Sequence, residues 1–99
     1  MKSISFVWDP HKADENNRKH KITFEEAQSV FIDPNARMIF DTEHSTEEDR
    51  FVILGISSAL RLIVVCHCFR ENDMVIRIIS ARKATKHEQK QYGSFYHEK

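Results

Sequence analysis

A chain of 99 residues can build one hydrophobic core and is too short for a second, so it is expected to form a single domain, 1–99. Charged residues make up 30% of it, with only two glycines and two prolines, a globular composition that excludes a disordered or collagen-like chain. Fifteen basic and fifteen acidic residues leave a formal net charge of zero, which argues against nucleic-acid binding by bulk charge. No apolar run approaches the roughly 20 residues of a membrane span, and the N-terminus lacks a signal peptide's apolar stretch. A cytoplasmic location with no membrane partner is expected.

In chain order, Ser3 to Trp8 is a short β-prone run. Asp9-Pro10 then starts a helix, with Asp9 as cap and Pro10 at the first helical position. From about Pro10 to His20 only Ala13 is apolar, which predicts a surface helix held by its ends, with Trp8 beneath it. Thr23-Phe24-Glu25-Glu26 is a capping box in which the threonine bonds forward and Glu26 reaches back. Phe24, Ala27, Val30 and Phe31 follow at helical spacing, so this second helix is the better buried, and it stops at Asp33-Pro34.

The period then changes. Arg37 to Asp41, Arg50 to Ile56, Arg61 to Phe69 and Met74 to Ser80 are β-branched or aromatic runs separated by polar turns, which predicts an antiparallel meander. The acidic segment from Asp41 to Asp49, with no lysine or arginine, is expected as the one long loop. A second capping box, Thr85 with Glu88, opens a basic C-terminal helix containing Lys86, Lys90 and Tyr92. The fold class is therefore α+β: two N-terminal helices, a meander of about four to five strands, and a terminal helix packed on the sheet.

Several side chains stand out chemically. Arg77 sits among aliphatic residues, so it either pairs with an acid or opens onto an anion site; both readings stay open. His67 is the polar exception on its strand face, either a satisfied core histidine or a proton-transfer group beside Arg77. Glu88 and Tyr92 are four residues apart on one helical face, near Arg82. Metal-free RNA cleavage needs a base for the 2′-hydroxyl, cations for the phosphorane and an acid for the leaving oxygen, and this stretch holds candidates for each. The competing reading is an ordinary solvated basic helix. Cys66 and Cys68, one residue apart in a strand, are badly placed to bridge and read as buried reduced thiols. No metal site is expected, because His67 points to the face opposite both thiols and no second ligand pair completes a set. No cofactor is expected either.

The segments taken together are more informative. Phe6-Val7-Trp8-Asp9-Pro10, Lys12-Ala13, Asn17, Lys19-His20, Ile22-Thr23-Phe24-Glu25-Glu26-Ala27, Val30-Phe31 and Asp33-Pro34 resemble the N-terminal half of the BrnT toxin family. Asp41, His44-Ser45, Glu48-Asp49-Arg50, Ile53 with Gly55, the run from Ile76 to Thr85, Glu88 and Tyr92 extend the resemblance to the C-terminal half. It implies a RelE-like fold and a bacterial toxin with ribonuclease activity that halts translation. It also implies neutralisation by a ribbon-helix-helix antitoxin of the BrnA type and promoter DNA bound only through the complex. On this reading Arg77 and Arg82 hold the scissile phosphate, and Glu88, His67 or Tyr92 moves protons. Arg61, Lys83 and Lys86 extend the RNA-binding surface. A noncatalytic co-repressor relic and a gyrase-directed toxin are the alternatives on one scaffold. The family usually has glycine where Lys21 follows His20, so that turn must close differently or at some strain.

Overall fold

The computed structural model describes residues 3–41 and 49–97. Five strands and three helices follow one another as β1 (Ser5–Val7), α1 (Pro10–His20), α2 (Phe24–Ser29), a 3-10 turn (Val30–Ile32), β2 (Arg37–Asp41), β3 (Arg50–Ile56), β4 (Leu62–Arg70), β5 (Val75–Lys83) and α3 (Lys86–His97). They form one sheet in the order β1-β5-β4-β3-β2. The predicted meander is β2 to β5, antiparallel throughout, and β1 adds a parallel edge strand beside β5. The acidic segment expected as a long loop falls at 42–48, outside the described residues.

Strand alternation sorts the side chains between two faces. One face presents Ile53, Ile63, Val65, Ile78 and Ala81 to Ile22, Phe24, Ala27 and Val30 from the helical layer, and these nine buried residues form the core. Trp8, expected beneath α1, packs edge-on against Phe24 of α2. Gly55 lies where the helical layer comes closest: an added Cβ would stand 2.9 Å from Val30 Cγ1 and 3.0 Å from both Ala36 Cβ and Asp33 Oδ2. The requirement there is for space, not for unusual backbone angles.

Helix α1 begins as predicted, with Asp9 Oδ1 accepting the His11 N–H at 2.9 Å and Pro10 in the first turn. Its attachment is stronger than end capping alone, because Asn16 is buried at mid-helix. The Asn16 amide donates to the carbonyls of Ile22 (3.1 Å) and Ala81 (2.9 Å), and its oxygen accepts the Ala81 N–H at 3.0 Å. β1 pairs with β5 only over Val75 to Arg77, so beyond that point the Asn16 side chain does for Ala81 what a neighbouring strand would do.

The turn after α1 closes on Lys21 in the left-handed conformation (φ 60°, ψ 35°), its N–H donating to Asn17 O at 2.9 Å. The helix thus ends in the manner a glycine would favour, with a side chain that makes this conformation cost about 1 kcal/mol. Lys21→Gly is expected to stabilise the fold by no more than about 0.5 kcal/mol, since relief of the strain is largely offset by the looser unfolded chain, seen as a rise of at most a few degrees in Tm.

Candidate active site

On the second face of the sheet, cross-strand neighbours fall into three rows: Arg50, Cys68 and Arg77; Val52, Cys66 and Ser80; Leu54, Val64 and Arg82. Helix α3 covers the Leu54 and Val64 end, its Glu88 and Gln91 bounding a small cavity of about 100 Å³ with Arg37, Val52, Leu54 and Val64. Beside it a groove of about 260 Å³ is lined by Arg50, Val52, Val64, Cys66, Ile79, Ser80 and Arg82.

Arg77 and Arg82 are five residues apart, which in a regular strand would place them on opposite faces. A β-bulge puts them on the same face, opposite Cys68 and Val64 of β4 and so four strand positions apart. Cys66 pairs with Ser80 but His67 pairs with Ile78, so Ile79 is an extra residue and the alternation shifts by one. Arg77, which sequence reading left between an acid partner and an anion site, has no ion-pair partner among the described residues.

Arg82 is held in a two-pronged pair with Glu88, Nη1 to Oε1 at 2.8 Å and Nη2 to Oε2 at 3.0 Å. The Glu88 carboxylate also accepts the Thr85 N–H at 2.8 Å, while Thr85 Oγ1 accepts the Glu88 N–H at 3.2 Å. The predicted capping box is therefore complete, and its acid orients the arginine as well as the helix. Hydrogen bonding from Arg82 is the leading cause that brings the Glu88 carboxyl down to about 2 from the usual 4.5. A carboxylate so acidic binds a proton poorly at neutral pH, which suits a positioning role and not the proton transfer expected for it.

Three expected site residues lie elsewhere. His67 is wholly buried on the opposite, helix-covered face, with Phe31, Phe51 and Phe69 rings around it at centroid distances of 4.8, 6.2 and 5.4 Å. Nδ1 lies 3.2 Å from Val65 O and Nε2 3.3 Å from Met38 Sδ. Burial pushes its pKa down, keeping the ring neutral, so the core-histidine reading holds and a place beside Arg77 does not. Tyr92 donates its hydroxyl to Asp33 Oδ2 at 2.8 Å, tying α3 to the β3 end, where the same oxygen accepts the Ile56 N–H. Arg61, expected on RNA, instead grips both oxygens of Glu26 and donates to Lys21 O. Glu26 consequently does not reach back in its box; Arg61 chiefly, with Ser57, holds its pKa low.

Lys83 and Lys86 are exposed at the end of β5 and the start of α3. Sequence reading missed Arg50 and Ser80 as parts of the same face, because only the strand register reveals that Arg50 opposes Cys68 and Ser80 opposes Cys66. Cys66 is half-buried and Cys68 buried, and neither forms a disulfide. Among the described residues no group of three histidine, cysteine or acidic side chains is placed to hold a metal ion.

Residues 8–88 match the sequence profile of the ribonuclease toxin BrnT of type II toxin-antitoxin systems. The chain belongs to the BrnT family. Membership implies an antitoxin partner. The crystal structure of the Brucella abortus ribonuclease toxin BrnT is similar in fold, with a TM-score of 0.65 and 21% identity over 85% of this chain and 100% of that one. No curated protein matches the sequence. Among the described residues no helix is long and apolar enough to cross a membrane.

For this BrnT family member the Glu88 pairing has a definite pH signature. Its folded pKa is lowered, so the stabilisation is complete above about 4.5 and fades as pH falls toward about 2. Acidification through that window should weaken the parent more than Glu88→Gln, measured by urea denaturation at a series of pH values. Between pH 5 and 8 Glu88 stays ionised, so an inflection in cleavage rate there that vanishes in Glu88→Gln would contradict the positioning role.

Proposed function

We propose that this chain, acting as one domain over 1–99, is a metal-independent endoribonuclease that inhibits translation and is neutralised by a BrnA-type ribbon-helix-helix antitoxin in the cytoplasm. The complex, and not the toxin alone, would bind promoter DNA. The bulge at Ile79 supports this reading, since it turns Arg77 and Arg82 to the same sheet face, away from the core, with Arg82 pre-oriented by Glu88. A held guanidinium with a second on the same face suits a scissile phosphate, whose charge grows in the phosphorane. Family membership supplies the reaction class.

In the mechanism that fits this face, Arg82 presents its outer N–H groups to a phosphate oxygen and Arg77 neutralises the charge from the other end of the strand. The substrate's own 2′-hydroxyl loses its proton and attacks the phosphorus, and the 5′-oxygen leaves with a proton taken from water, so that a 2′,3′-cyclic phosphate remains. With His67 buried, Glu88 held ionised and Tyr92 bonded to Asp33, charge stabilisation carries more of the rate than a dedicated base, and water takes the first proton.

The test is induction of the chain without an antitoxin, followed by incubation of the purified protein with RNA in the presence of EDTA. Growth arrest and RNA cleavage are expected, and both should be lost in Arg77→Ala and Arg82→Ala proteins that remain folded by circular dichroism. Intact RNA with and without ribosomes would overturn the ribonuclease reading. Variants as toxic as the parent would overturn the site.

A further inference from the structure

We propose that the C-terminal end of α1 and the end of β5 form a second binding groove that holds the RNA strand on one side of the scissile phosphate, an inference that rests on the ribonuclease reading. This depression, of about 430 Å³, is lined by Lys19, His20, Lys21, Arg82, Lys83 and Thr85. No acid lines it. Arg82 also lines the groove on the sheet face, so the two depressions meet at that side chain. A strand whose scissile phosphate rests on Arg82 would pass its next phosphates to Lys83, Lys21 and Lys19.

The relative placement of these cations is built into the fold. Asn16 of α1 is bonded on both sides of Ala81, the residue before Arg82, and the Lys21 carbonyl is held by Arg61. Basic residues in the last turn of a helix also complement its dipole, which accounts for Arg18, Lys19 and His20 without any ligand. It does not account for Lys21, beyond the helix in a strained conformation that glycine would adopt freely, or for Lys83 on the strand. Both belong to the same groove. Single-stranded RNA, a polyanion whose backbone is bound largely through phosphates, fits such a row of flexible ammonium groups.

The experiment compares the parent with Lys19→Gln/Lys21→Gly/Lys83→Gln in the full chain. The Lys21→Gly change removes a charge while relieving strain, so loss of fold cannot be its cause. Cleavage of a long single-stranded RNA should show KM raised about tenfold or more with kcat within about twofold. The slope of log Kd against log salt, measured with a fluorescein-labelled single-stranded RNA, should become shallower by about 2, at roughly 0.7 for each phosphate that the variant no longer neutralises. Unchanged KM and salt slope with an active parent would overturn the groove and leave the ribonuclease reading standing. A parent that does not cleave RNA overturns that reading instead, and the binding titration still decides the groove: equal affinity and slope in parent and variant would overturn it.

Discussion

Arg82→Lys is expected to lower kcat for RNA cleavage by about 10²-fold or more while moving KM by much less. Lysine keeps the positive charge, but it cannot hold both Glu88 oxygens and still aim a second pair of donors at a phosphate. In the parent, two of the guanidinium nitrogens are committed to Glu88 at 2.8 and 3.0 Å, which fixes the plane of the group before substrate arrives. Glu88→Gln keeps one acceptor oxygen and removes the charge, so it should lose less than Arg82→Lys. If Glu88 acts only through Arg82, adding Glu88→Gln to Arg82→Ala costs nothing further, since residues that act as one unit are strongly non-additive. Steady-state kinetics on the four proteins of that cycle decide the matter. A fully additive loss would mean that Glu88 touches the reaction on its own.

Much of the architecture was legible because period-2 and helical patterns report burial directly, and the strands β2 to β5, the caps at Asp9, Thr23 and Thr85 and the basic terminal helix all follow from them. The candidate site was harder for a physical reason. Ile79 is an ordinary strand residue in composition, yet its bulge decides whether Arg77 and Arg82 share a face, and with isoleucine at both 78 and 79 the apolar run does not show where the alternation slips. Pairings between residues distant in sequence were equally hidden: Tyr92 was placed on the Glu88 helical face by spacing, whereas its hydroxyl is bonded to Asp33, 59 positions away. Arg61 is likewise drawn from its expected role by a carboxylate 35 positions earlier. His67 could be read either as core or as chemistry, and the aromatic rings around it decided for the core.

Asn16 is a polar residue whose removal should cost the fold as much as a core side chain, although nothing in a nearly all-polar helix marks it out. Asn16→Ala leaves the N–H and carbonyl of Ala81 and the carbonyl of Ile22 without their present partners in a buried place. Each intramolecular hydrogen bond contributes about 0.5–1.5 kcal/mol, and a buried group left unsatisfied costs about 1–3 kcal/mol, so a total loss of about 2–4 kcal/mol is expected. For a domain of this size that lowers Tm by roughly 10 °C or more. Asn16→Asp is the sharper probe, because it keeps the volume and the acceptor for the Ala81 N–H but replaces the donor with a buried negative charge facing two carbonyl oxygens. It should therefore be no better than alanine at neutral pH. Activity should fall alongside stability, since Ala81 precedes Arg82 and α1 is anchored to the strand through this amide. Measured well below Tm, with both variants folded, the kcat loss tests that coupling: a kcat equal to the parent's would mean that β5 holds Arg82 in place without α1.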